Sequence, residues 1–158
     1  MKKRAVKQHV EILKHDTYIA LIQNSLGTKL FQNMYAKVNG KKQDIVGGGD
    51  LSCALYVSSL LVLAGFMKKI HTTVVGTEKD LATLGWKKTK KPKYGDILVW
   101  EAWEKSGGHA HIGFYAGTDQ AISNSAEKRV PIVHHMYFGL KNGKPARKIT
   151  AIYAVPKK

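Results

Sequence analysis

The segment Leu51-Ser52-Cys53-Ala54-Leu55-Tyr56-Val57-Ser58-Ser59-Leu60-Leu61-Val62-Leu63-Ala64-Gly65-Phe66-Met67 is apolar on nearly every side and follows directly on Gly47-Gly48-Gly49-Asp50. A helix with so little polar surface is stable only where protein surrounds it, so this stretch predicts the central helix of the fold. Its apolar run from Cys53 to Met67 is broken by Ser58 and Ser59. That run is shorter than the roughly 20 residues a helix needs to cross a bilayer, and no membrane span is expected.

Upstream, Lys37 to Gly49 is polar and glycine-rich and predicts a loop, while Ala5 to Gln23 places Val6, Val10, Leu13, Tyr18, Leu21 and Ile22 at helical spacing. Downstream, Thr77 to Leu84 predicts a short helix with Thr77 as N-cap, Glu78 and Asp80 in its first turn, and Gly85 as its stop. From Tyr94 the period becomes that of strands: Asp96–Trp103, His109–Ala116, Gln120–Ala126, Val130–Tyr137 and Lys148–Val155, rich in β-branched and aromatic residues. Helices followed by an antiparallel sheet describe one α+β domain over 1–158, with an N-terminal helical part at 1–46 and the central helix and sheet at 47–158.

The chain of 158 residues carries 26 Lys and Arg against 11 Asp and Glu, a net charge of +15. Such a field favours polyanions without choosing among them. The densest run, Lys87-Lys88-Thr89-Lys90-Lys91-Pro92-Lys93 between Trp86 and Tyr94, reads as a solvated loop. No CxxC pair, aromatic RNA-binding strand or helix-turn-helix spacing accompanies it, so nucleic acid is not an expected partner. The single cysteine, Cys53, excludes a disulfide framework within the chain. Met1 to Arg4 is basic, but Lys7, Gln8, His9, Glu11 and Lys14 stand where a signal peptide would be apolar, so no export signal is expected in the chain as given.

Cys53 falls where chemistry would want a thiol. The glycines allow a sharp turn, Ser52 or Asp50 can cap the helix, and the sulfur sits in the first turn. There, unpaired N–H groups and the positive helix end are expected to lower its pKa and to hold an oxyanion. A cysteine nucleophile needs a base, and His111 lies 58 residues downstream on a predicted strand, sharing a face with His109, Gly113 and Tyr115. Gly113 is expected to leave room for a neighbouring helix. The third, orienting group depends on register. A two-residue turn at Thr118-Asp119 sets Gly113 against Asn124 and places Asn124 on the His111 face; a three-residue turn reverses this and brings in Ser123.

Three stretches together resemble the NlpC/P60 cysteine peptidases of bacterial walls and the related CHAP amidases. They are Gly49-Asp50-Leu51-Ser52-Cys53-Ala54-Leu55-Tyr56-Val57, Tyr94-Gly95-Asp96-Ile97-Leu98-Val99-Trp100 and His111-Ile112-Gly113-Phe114-Tyr115-Ala116-Gly117. The likeness spans about residues 47 to 126. It implies a papain-like fold in which Cys53 is the nucleophile, His111 the base and Asn124 the orienting residue, with no cofactor and no metal. It also implies peptidoglycan peptide stems as substrate, anionic wall polymers as further partners, and an extracellular or wall-associated setting; the lack of an expected export signal in the chain as given leaves a cytoplasmic setting or lysin-like release as alternatives. The chain departs from the family in reading Ser52-Cys53-Ala54-Leu55 where Asp-Cys-Ser-Gly is usual. Many members carry a histidine at the position of Ser123.

Ser52, Trp100, Glu101, His109 and Ser123 are expected to line the substrate groove. Three other readings compete with hydrolysis: a basic, non-catalytic adaptor that binds a polyanion, a thiol acyltransferase, and a metal site using Cys53, His109, His111 and one of His134 and His135. The metal reading is the weakest, because adjacent histidines on a strand point to opposite faces.

Overall fold

The computed structural model describes residues 8–156. The basic start at Met1–Arg4 and the first part of the expected N-terminal helix, residues 5–7, lie outside them. Three helices, α1 (Lys14–Asn24), α2 (Cys53–Leu63) and α3 (Val74–Thr83), precede most of the strands. The strands among the described residues are β1 (Tyr35–Val38), β2 (Lys41–Asp44), β3 (Lys87–Lys88), β4 (Ile97–Trp103), β5 (His109–Gly117), β6 (Gln120–Asn124), β7 (Pro131–His135), β8 (Leu140–Lys141), β9 (Lys144–Pro145) and β10 (Ile149–Ala154). A six-stranded antiparallel sheet, in the order β3-β10-β4-β5-β6-β7, forms the body of an α+β fold.

The apolar helix is central, as its composition requires. Residues Ala54 to Leu61 of α2 are all buried, and the apolar ones among them join Ile97, Val99, Ile112, Phe114 and Ile122 of the sheet in one core with Tyr18 and Ile22 of α1. Tyr56 and Tyr18 both meet Phe114 edge to face, at ring distances of 5.5 and 5.8 Å. The opposite face of the sheet carries a second, smaller core of Leu98, Trp100, Ala121 and Met136, flanked by Tyr137 and Phe138.

Several local expectations are corrected. The N-terminal helix begins at Lys14, and residues 8–13 are not helical: Val10, Ile12 and Leu13 are exposed, so the apolar positions counted there have nothing to pack against. Overlapping the start of the expected loop, Tyr35–Val38 and Lys41–Asp44 pair as a hairpin about Asn39-Gly40, both at positive φ (50° and 79°). Asn-Gly is the strongest short hairpin signal and was available in the sequence. α3 starts three residues before Thr77; its N-cap is Thr73, whose hydroxyl accepts from the Gly76 N–H, while Thr77 donates back to the Thr73 carbonyl. Part of the lysine run, Lys87–Lys88, is an edge strand paired with β10. Lysine there suits an edge that must not recruit another strand.

Candidate active site

The approach to α2 is built by glycine and one carboxylate. Gly47, Gly48 and Gly49 all have positive φ (60°, 64° and 101°), and a Cβ on Gly49 would lie 2.9 Å from that of Arg129. Asp44, at the end of the hairpin, holds this turn: Oδ1 accepts from the Met34 and Val46 N–H groups, Oδ2 from the Gly48 N–H and Asn33 Nδ2. Donors converging on the ionised carboxylate pull its pKa down to about 2, the Met34 N–H contributing most.

Cys53 is the first residue of α2 and half-buried. Burial raises its thiol pKa; the N–H groups of Ile112 and Ala54 and the charge of Arg147 work in the opposite direction without overcoming it. The expectation of a thiol acidified by the helix end is therefore corrected: desolvation wins over the helix tip. Ser52 holds the N-cap position but caps nothing, and its buried Oγ has no hydrogen-bond partner among the described residues. Asp50 makes no capping bond either, so no capping side chain occupies the first N–H groups of α2.

His111 stands opposite Trp100 across β4 and β5, so its ring lies on the sheet face of the second core, 5.5 Å from Trp100 and 5.6 Å from Phe138 by ring centroids. Cys53 meets the same strand one residue on, at the Ile112 N–H. Both residues line one cavity of about 690 Å³, whose wall also includes Thr72, Lys105, Ser106 and His109. No hydrogen bond joins thiol and imidazole. His111 Nε2 is hydrogen-bonded to Ser123 Oγ at 2.7 Å, and the same Oγ lies 2.8 Å from His134 Nε2. Burial, aided by Arg147 and His134, pushes the His111 pKa down to about 3, so thiol and imidazole both rest neutral near pH 7.

Ser123 reaches His111, and Asn124 does not. The turn is the two-residue one: Gly117 faces Gln120, with Thr118 and Asp119 at positive φ. Tyr115 then faces Ala121, leaving Ala116 as one extra residue on β5. That bulge shifts every later pair by one and turns Asn124 to the other face. There its Nδ2 donates to the Gly49 carbonyl at 2.7 Å, tying the sheet to the turn before Cys53, while its buried Oδ1 has no partner among the described residues. The space at Gly113 is filled by Ser123 and not by a helix: a Cβ there would come within 2.6 Å of the Ser123 Cβ.

Of the expected groove residues, His109 is exposed and lines the cavity. Trp100 is corrected to a core residue, fully buried with Nε1 donating to the Met136 carbonyl at 2.7 Å. Glu101 is likewise structural, its Oε1 accepting from the Lys148 N–H and its carbonyl from Arg147. Among the described residues no group of three or more His, Cys, Asp or Glu is arranged to hold a metal ion.

Arg147 is a site residue that neither periodicity nor motif spacing marks. Its buried guanidinium donates to the Glu101 carbonyl through Nε and Nη2 and to the His109 carbonyl through Nη2, and it lies 5.5 and 5.4 Å from the Trp103 and Phe138 rings. The available signal was compositional: only Arg4, Arg129 and Arg147 are arginine in a lysine-rich chain, and arginine is favoured where a planar fork must serve several acceptors. No protein-family model matches the chain, and no curated protein matches it.

Proposed function

We propose that the chain is a papain-like cysteine hydrolase that cleaves peptide or amide bonds of bacterial peptidoglycan through a thioester acyl-enzyme. The observation that carries this reading is the sharing of one cavity by Cys53, at an uncapped helix start, and His111, whose Nε2 is held by Ser123. In the reaction Cys53 Sγ attacks the scissile carbonyl carbon as its proton passes to His111 Nδ1. The oxyanion is received by free N–H groups of the first turn of α2. The imidazolium returns its proton to the departing amine, and water, deprotonated by the same imidazole, hydrolyses the thioester and releases the thiol. Because both partners rest neutral, the proton moves with the attack and not before it. The positive surface favours retention on anionic wall polymers, an attraction that salt weakens.

Purified muropeptides incubated with the protein, with new termini identified by mass, test this reading. The expected result is new amino and carboxyl termini that vanish with Cys53→Ala; unchanged cleavage by that variant ends the proposal. The elevated thiol pKa favours a second reading, a non-catalytic module of the same fold that binds a polyanion. It predicts no new termini and salt-sensitive polyanion binding that is the same in Cys53→Ala.

A further inference from the structure

The hydrogen bonds beyond His111 form a chain with only one consistent direction among neutral groups. His134 Nδ1 lies 2.9 Å from the His135 carbonyl oxygen, which can only accept, so Nδ1 carries the proton. In a neutral imidazole the other nitrogen is then bare, and His134 Nε2 must accept from Ser123 Oγ at 2.8 Å. The hydroxyl has one proton and spends it there. Ser123 Oγ therefore accepts from His111 Nε2 at 2.7 Å, which makes His111 the Nε2–H tautomer and leaves Nδ1 bare. Burial supports the neutral form of both rings.

We infer that His134 is a positioning residue: held by the His135 carbonyl and acting through Ser123, it selects the tautomer of His111 whose Nδ1 is free to accept a proton. Its ring is stacked on Phe138 at 4.3 Å, so its place does not depend on the hydrogen bonds alone. The value of this selection for catalysis rests on the hydrolase reading; the tautomer itself does not. A serine between two histidines transmits direction because it has one proton: once that proton is donated to His134 Nε2, only lone pairs remain for His111.

The test is long-range ¹H–¹⁵N spectroscopy of the full chain labelled in histidine, near pH 7. The expected result is His111 protonated at Nε2 and His134 at Nδ1. His134→Phe keeps the stack on Phe138 but removes the acceptor, freeing Ser123 to donate to His111, and the Nδ1–H form should then gain population. His134→Gln, which restores an acceptor, should return the Nε2–H form. On a cleaved muropeptide the Phe variant should lose about tenfold or more in kcat with KM unmoved, and the Gln variant should recover. A wild-type His111 protonated at Nδ1, or a tautomer indifferent to His134→Phe, overturns the inference. Should the tautomers behave as expected while the wild-type protein cleaves nothing, the positioning chain stands and the hydrolase reading falls.

Discussion

Gly113 and Ser123 face one another with no space for a side chain between them: a Cβ on Gly113 would lie 2.6 Å from the Ser123 Cβ and 2.6 Å from the Ile122 carbonyl oxygen. The glycine is thus what lets Ser123 sit beside His111. Gly113→Ala should push β5 and β6 apart, destabilising the protein by about 1–3 kcal/mol as an overpacked site does. Urea unfolding checks this. A variant as stable as the parent would mean that the strands separate there freely.

Asn124 works on the other side of the same strand. Asn124→Ala removes the donor to the Gly49 carbonyl, leaving a buried acceptor unpaired at a cost of about 1–3 kcal/mol. Because that bond ties the sheet to the turn before Cys53, the alkylation rate of Cys53 should change as well. Loss of stability with an unaltered alkylation rate would separate the anchor from the thiol.

Arg147 lowers the thiol pKa of Cys53 and that of His111 by its charge. Arg147→Lys cannot serve the Glu101 and His109 carbonyls with one planar group, and a loss of about 1.5–3 kcal/mol is expected. Arg147→Met also removes the charge, so the thiol should titrate higher still. Thiol titration by absorbance in parent and both variants distinguishes lost geometry from lost charge.

Thiol reactivity should follow the neutral resting state. Iodoacetamide alkylation of Cys53 should climb continuously as pH rises through and beyond the neutral range, because burial keeps the thiol protonated. A rate already at its plateau between about pH 5 and 8 would reveal a thiolate–imidazolium pair instead.

Acid should weaken the fold in two windows. His111 has its folded pKa at about 3, below its ordinary 6.5, so the unfolded chain binds the proton first. The associated stability is whole above pH 6.5 and is lost as pH falls toward 3. Asp44, lowered from 3.8 to about 2, contributes above 3.8 and loses that contribution as pH falls through about 2. Denaturation midpoints from pH 8 to 2 should decline through both ranges, and Asp44→Asn should flatten only the lower one.

The chain's own pattern was enough to find a buried helix opening at Cys53 and the five long strands, and to single out Cys53 and His111, which the fold brings to one cavity. Those features depend on residues close in sequence: an apolar run without a polar face, alternation of period two, glycines before a helix. The Asn39-Gly40 hairpin belongs to the same class, because Asn-Gly is a local signal. Tertiary structure alone decided three other matters. Ala116, one unpaired residue on β5, exchanged Asn124 for Ser123 beside His111, and no local signal distinguishes a bulged register from a straight one. Burial among distant elements set the protonation of Cys53 and His111 against the helix-end effect. Arg147, ahead of β10, and His134, on β7, join the site from other strands of the sheet. Register and desolvation are sums over neighbours brought together from remote parts of the chain, so they take their values only when the chain has folded.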